Sequence, residues 1–297
     1  MVFEHKKMMI SILVMAYNHE AYIAQCLNSI LSQKTNFLFE IILGEDDSSD
    51  KTRSICIDFS KKHSDKIKLF LRSRKDVIYV NGNPTGRFNF VESLKACKGK
   101  YIAVCDGDDY WTDPFKLQKQ VDFLENHEDY VIAYHDVSII DSEGIIINKS
   151  KTPKIFQRDF TNIELIKSDI FICLMSIVFR NVVKDLPKNF LSVSNADVFL
   201  TSYLGQFGHG KYFENIGGMY RVHQGGVWSA LDDKSKQESK KKTFYQLHEY
   251  YDSIKNKEIS QYYLSKSKKV TNRKMPINSK NSVFMLIKRI YKKIKKN

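Results

Sequence analysis

The sequence predicts an α/β protein: a mainly parallel sheet covered by helices on both faces. Three observations carry this expectation. Short apolar runs alternate with amphipathic helical patterns through residues 8–126. The runs are almost continuously apolar, as strands buried on both faces are. Polar clusters stand where three of the runs end, and open parallel sheets bind ligands beyond the carboxyl ends of their strands.

"MMISILVMA" (8–16) reads as a buried first strand. Basic residues precede it, as in a secretory leader, but the run passes into "YNHE" with no small-residue cleavage site, so a strand is expected. Asn18 can cap the next helix, in which Ile23, Cys26, Leu27, Ile30 and Leu31 share one face. "FEIILG" (39–44) is a second strand, and "EDDSSDKT" opens a second helix with Ser49 or Asp50 as cap. "IKLFLR" (67–72) is a third strand, "NGNPTG" (81–86) a loop, and "FNFVESLKAC" a helix ended by Gly99. "YIAVC" (101–105) is a fourth strand. "TDPFKLQKQVDFLEN" starts a helix with a polar cap and Pro114, and Leu117, Val121 and Leu124 share its face. After residue 130 the pattern changes. "YVIAYHDVSII" and "GIIIN" read as a hairpin, "KYFENIGGMYRVH" as a strand, and "NADVFLTSYLGQFG" as a helix. A more antiparallel second half, packed on the first, is expected.

The chain has 297 residues, enough for a substantial core. Its five cysteines are scattered without zinc spacing, which predicts buried free thiols in a reducing compartment. The net charge of +13 is uneven. Residues 231–297 hold 19 Lys/Arg and 6 Asp/Glu, so residues 1–230 are neutral. A body without a basic footprint argues against a nucleic-acid partner. No apolar run approaches the ~20 residues that span a bilayer.

The polar clusters are "YNHE" (17–20), "GEDDSSD" (44–50) and "DGDDYW" (106–111). Asp106, Asp108 and Asp109 put three mutually repelling carboxylates within four residues. Helix capping needs fewer, and Gly107 allows a sharp turn between the first two. Carboxylates flanking a glycine suit a hard divalent cation, Mg²⁺ or Mn²⁺, with phosphates as further ligands. Asp46 can accept from a base N–H, and Tyr17 can stack on the same base. Neither glycine-rich phosphate-loop pattern occurs, so phosphates would be held by metal and side chains.

Four segments, "SILVMAYNHEAYIAQCLNSILSQ", "EIILGEDDSSDKT", "CKGKYIAVCDGDDYWTDPFKLQKQVDFLE" and "YRVHQGGVWS", resemble the bacterial family 2 glycosyltransferases. These are inverting enzymes of the GT-A fold that build polysaccharides from nucleotide sugars. The resemblance covers about residues 8–230, divided near residue 110 into a nucleotide-sugar half and an acceptor half. It implies Tyr17 and Asp46 on the nucleotide and a D-x-D at Asp106 and Asp108. Asp108 would ligand the metal, and Asp106 would reach ribose or metal-bound water. Asp109 and Trp111 would lie toward the acceptor. Asp197 matches the general base of a Glu-Asp pair, with Ala196 in place of the glutamate. Arg221 would touch the pyrophosphate and His223 the metal, with Arg87 a further candidate for a phosphate. The processive members' Q-x-x-R-W motif is absent, which implies one sugar added per encounter.

The expected donor is a UDP-sugar and the expected acceptor a glycan, lipid-linked. Two other readings compete: a nucleotidyltransferase, which would attack at the α-phosphorus, and a non-catalytic sugar-binding module. Residues 231–297 form a basic helical extension. In "SVFMLIKRIYKKIKKN" Val283, Ile287, Ile290 and Ile294 share a face opposite lysines and arginines, the pattern of a helix lying on an anionic membrane. A cytoplasmic enzyme, peripheral on the inner face of the cell membrane, is the resulting expectation.

Overall fold

The first described element is β1 (Met8–Ala16), which lies inside a seven-stranded sheet and is apolar on both faces for that reason. The computed structural model describes residues 8–183, 186–214, 217–223, 225 and 232–270. The elements that follow are α1 (Ile23–Leu31), β2 (Leu38–Glu45), α2 (Thr52–Lys62), β3 (Ile67–Leu71), β4 (Ile78–Val80), β5 (Asn83–Thr85), α3 (Arg87–Ala96), β6 (Tyr101–Val104), β7 (Tyr110–Trp111) and α4 (Lys116–Asn126). The second half adds β8 (Tyr130–His135), β9 (Ser138–Ile140), β10 (Ile146–Asn148), α5 (Asn162–Lys167), β11 (Val178–Arg180), α6 (Asn189–Ser192), α7 (Ala196–Leu204), β12 (His209–Phe213), β13 (Gly218–Arg221), α8 (Asp233–Ser253) and α9 (Lys257–Lys269).

The large sheet runs β12-β8-β11-β6-β1-β2-β3. Its β6-β1-β2-β3 portion is parallel, and β11 enters antiparallel to both β6 and β8. Side chains alternate along β1. Ile10, Ile12 and Val14 meet α1 and α4 on one face, while Leu13 points into a second cluster with α3, α7, α8 and α9. A smaller sheet, β10-β9-β13-β7, carries two antiparallel pairings. The α/β class, the four parallel strands and the more antiparallel second half are as expected. Cys26, Cys56, Cys105 and Cys173 are free and buried.

Several local expectations are corrected. The loop at 81–86 contains half of a two-stranded hairpin, β4–β5, whose turn residues Asn81 and Gly82 both have positive φ. That is the two-residue Asn-Gly turn, which fits the twist of paired strands. "YVIAYHDVSII" is split between sheets, because Asp136 turns the chain by accepting from the N–H groups of Val137, Lys151 and Thr152. "KYFENIGGMYRVH" is likewise two strands, β12 and β13, in different sheets. Asn18 does not cap α1. It has φ 54° and accepts from the N–H of Ser49, tying the β1 and β2 loops together.

The helices α8 and α9 begin the C-terminal extension and close the core on its α3 face. Phe244, Leu247, Tyr251 and Tyr263 are buried in the same cluster as Phe199 and Leu200. Tyr251 donates to the Ser202 carbonyl at 3.0 Å, so the aromatic hydroxyls are satisfied as they are buried. The amphipathic stretch 283–294 lies outside the described residues. Among the described residues no helix is long and apolar enough to cross a membrane.

Candidate active site

Parallel pairing brings three strand ends to one edge. Ala16 is in register with Glu45, and Leu13 with Val104. The pairing continues past the strands: Asp46 N–H donates to Ala16 O, Cys105 N–H to Leu13 O and Gly107 N–H to Met15 O. The three polar clusters therefore converge, as the sequence predicts. A Cβ on Gly107 would lie 2.9 Å from His19 Nδ1 and 3.0 Å from Met15 O, so close approach is what demands glycine there.

At the β1–β2 end, Tyr17 is 42% exposed and Asp46 is buried. Arg74 joins them, with its guanidinium 4.6 Å from the Tyr17 ring centre and Nη1 2.6 Å from Asp46 Oδ2. Burial raises the Asp46 pKa, and Arg74 opposes the rise. The fully buried Glu45 pairs with Arg53 and accepts from the N–H groups of Asp47 and Ser48, which shapes the loop. Arg74 was not anticipated. It follows β3 in a stretch without a motif, and only the fold brings it here.

At the β6 end, Asp108 Oδ2 lies 2.9 Å from His223 Nε2 and 3.9 Å from His19 Nε2. One ligand atom from each of the three residues falls within 4.8 Å of the others. The set of two imidazoles and one carboxylate fits a divalent cation. His19 Nδ1 is buried without a hydrogen-bond partner, and burial lowers the His19 pKa despite the field of Asp108, which favours the neutral ring that a ligand must be. His19 belongs to "YNHE", but nothing in the sequence showed it facing Asp108. Burial would raise the Asp108 pKa, yet the His223 hydrogen bond and the two imidazole fields bring it below the usual value. Asp106 goes the other way, to about 7, through burial and then the charge of Asp108.

The remaining expected residues have other partners. Arg221 is buried. Its guanidinium donates to Asp108 O, Asp141 O, Ser142 O and Gln25 Oε1, and it lies over the Tyr22 ring. It holds the Asp108 turn to β13 and is not free for a pyrophosphate. Asp109 is also buried and accepts from the Arg221 N–H at 2.7 Å. Trp111 is 3% exposed, donates to Met175 O and lies beneath the Lys116 ammonium, so it packs instead of facing an acceptor. "KLQKQ" is part of the same packing: Lys116 donates to Gln120, whose amide donates to Ala133 O and Ser176 O.

Asp197 stands in the first turn of α7, exposed to solvent but crowded by protein that desolvates its carboxyl. That desolvation raises its pKa, against the N–H groups of Val198 and Asp197 and the charges of Arg87 and Lys151. Among the described residues no hydrogen bond or ion pair joins it to the Asp108 group. Lys151 is a charge felt by both Asp197 and Asp109. Arg87 is buried and donates to Phe190 O and Val193 O, so it is not available to a phosphate.

Comparison with known proteins fits this geometry. The glycosyl transferase family 2 model matches residues 11–187. The chain belongs to that family, and its fold is GT-A. An uncharacterised protein of Mycobacterium tuberculosis is 31% identical over 229 residues, covering 76% of this chain. The chain spans 62% of the length of that relative. Escherichia coli WfgD, named a UDP-Glc:α-D-GlcNAc-diphosphoundecaprenol β-1,3-glucosyltransferase, is 30% identical over 193 residues, 65% of this chain and 68% of WfgD. The structure of Staphylococcus aureus TarS 1–349 with UDP-GlcNAc matches with a TM-score of 0.55 at 16% identity, over 89% of this chain and 81% of that one.

Replacing Arg74 should expose the balance at Asp46. In Arg74→Met the nearest cation is gone and burial acts with less opposition, so Asp46 should protonate at a higher pH than in the parent chain. Carbon-detected NMR titration reads this directly, and an unmoved Asp46 midpoint would contradict the ion pair.

Proposed function

We propose that the chain transfers one sugar, with inversion, from a UDP-sugar to a hydroxyl of a lipid-linked glycan acceptor in cell-surface polysaccharide synthesis. The observation that carries this reading is the meeting of Asp108, His19 and His223 on the same edge of parallel strand ends as Tyr17 and Asp46. Membership of family 2 supports the reaction class. The name of WfgD and the UDP-GlcNAc complex of TarS support a UDP-linked donor, and the name of WfgD supports a lipid-linked acceptor.

In this reading Tyr17 stacks on the base and Asp46 accepts from a base N–H, with Arg74 moving to admit it. Asp106 orients the ribose. A divalent cation, Mg²⁺ or Mn²⁺, held by Asp108, His223 and His19 would stabilise the charge that develops on the leaving diphosphate. Arg221 keeps the turn that carries Asp108 in register with β13. Asp197 removes the proton from the acceptor hydroxyl as it attacks opposite the leaving group. Ionised Asp197 is the competent form, so transfer should fall as pH drops through its raised pKa.

The test is a screen of UDP-glucose, UDP-N-acetylglucosamine and GDP-mannose for slow hydrolysis. Released nucleoside diphosphate supports the reading; pyrophosphate points to a nucleotidyltransferase, and no turnover of any of them to a binding module. Asp197→Asn should lower turnover by about 10²–10⁴-fold with little change in donor affinity. Near-parental turnover in that variant places the base elsewhere. For the metal, Asp108→Asn and His19→Ala should each weaken Mn²⁺ binding measured by calorimetry in the presence of UDP. Parental affinity in both would remove the cation from this site.

Attachment to the inner face of the membrane is assigned to the basic amphipathic stretch. Each Lys/Arg near an anionic surface contributes roughly 1 kcal/mol, and salt screens that attraction. Deleting residues 275–297 should release the protein from phosphatidylserine vesicles and leave donor hydrolysis intact. Equal vesicle binding with and without the stretch would refute the assignment.

A further inference from the structure

The segment that delivers Asp197 has almost no regular structure of its own. It consists of the four-residue α6, then Val193, Ser194 and Asn195, and then the first turn of α7. Asn195 precedes α7 without a side-chain cap. A carboxylate that must meet an acceptor hydroxyl cannot be placed by so short a segment alone, since catalytic geometry tolerates about half an ångström of error. Its backbone is held from outside. Arg87 Nη1 donates to Phe190 O at 2.5 Å and Nη2 to Val193 O at 3.0 Å, while the guanidinium lies 5.0 Å from the Phe190 ring centre. Arg87 is 8% exposed, and among the described residues no carboxylate forms an ion pair with it. From α8, Thr243 Oγ1 accepts from the Asn195 N–H at 2.9 Å and lies 3.0 Å from Asn195 Oδ1. Gln246 donates to Ser192 O at 2.9 Å.

A buried arginine is costly unless its charge is used. Here the hydrogen-bond acceptors are neutral carbonyls, and the acid whose charge acts on Arg87 is Asp197. We infer that Arg87 is the positioning residue of the general base: it fixes the carbonyls leading into α7 and sets a permanent cation in the field of Asp197, with Thr243 of α8 as the second clamp. The inference rests on Asp197 being that base. The charged groups acting on Asp197 are Arg87 from α3 and Lys151 from the segment after β10, together with the N–H groups of its own helix. Burial lowers the Arg87 pKa to about 10, with Asp197 opposing, so the guanidinium is protonated at neutral pH.

The experiment measures hydrolysis of whichever nucleotide sugar the parent chain turns over, as a function of pH. Arg87→Met should lower kcat and move the acid limb of its pH profile upward, because the carboxylate loses a favourable charge. Arg87→Lys should return that limb toward the parental position while kcat stays reduced, because one ammonium cannot hold two carbonyls as the fork does. Thr243→Val keeps the shape of α8 and should lower kcat without raising the donor KM. An unmoved acid limb in Arg87→Met, or a parental kcat in Thr243→Val with Arg87→Met also parental, overturns the inference. If Arg87→Met does not fold, an acid limb in Arg87→Lys displaced as far as a charge loss would displace it also overturns the inference. Asp197→Asn, measured alongside, separates the two failures. Loss of turnover there with indifferent Arg87 and Thr243 variants sinks only the positioning role. Parental turnover there sinks the base and the positioning role together.

Discussion

Three carboxylates crowded at the end of β6 are the constraint around which the site is arranged. Asp106, Asp108 and Asp109 crowd together, and burial first and their neighbours' charge second raise the pKa values of Asp106 and Asp109. Asp108 alone is lowered, because His223 and His19 face it. That assignment of charge needs a turn tight enough for Gly107 to lie against β1, and it needs imidazoles delivered from two distant parts of the chain. One comes from the loop after β1, the other from the residues after β13. The small sheet exists between them, with β13 pairing to β7 immediately after the acidic turn.

Arg221 is the mechanical centre of this arrangement. Its backbone N–H satisfies the buried Asp109, and its side chain donates to the Asp108 carbonyl and to the β9–β10 turn. A residue with five donors in a rigid fork can satisfy several carbonyls at once, which a lysine cannot. The acidic turn, the hairpin and β13 are thus fixed as one body. Arg87 plays the same part for the segment before α7, whose carbonyls are its acceptors. Each of these two segments rests on a buried guanidinium.

The donor half was legible because its physics is local. Apolar runs, their order and the polar residues that end them determine the parallel strands, and parallel strands place Tyr17, Asp46 and Asp108 on one edge. The resemblance of "DGDDYW" with "KLQKQ" to family 2 was specific for the same reason. What could not be read were long-range pairings. Arg74 has no motif around it, and its place over Tyr17 depends on where β3 ends. The His19–Asp108 approach depends on the turn at Gly107, and the burial of Trp111 on β7, a strand of two residues. The family resemblance of "YRVH" puts Arg221 on the pyrophosphate, and Arg87 is a further candidate for a phosphate. The acceptors they found are main-chain carbonyls and, for Arg221, the Gln25 amide oxygen, which no side-chain pattern announces. The split of "YVIAYHDVSII" was hidden likewise, since Asp136 looks polar in the sequence and only the fold shows it turning the backbone.

The placement of α8 carries a consequence for how the molecule is made. Chains emerge from the ribosome N-terminus first, at roughly 5–20 residues per second. The β1–β2–β6 edge can assemble once α4 has appeared. The segment before α7 emerges later, and Thr243 and the aromatic face of α8 follow about fifty residues behind it. For several seconds of synthesis the chain therefore holds the formed strand edge beside an α7 that still exposes Phe199 and Leu200. That interval is when the nascent enzyme is most open to aggregation, and it ends when the α8–α9 pair docks.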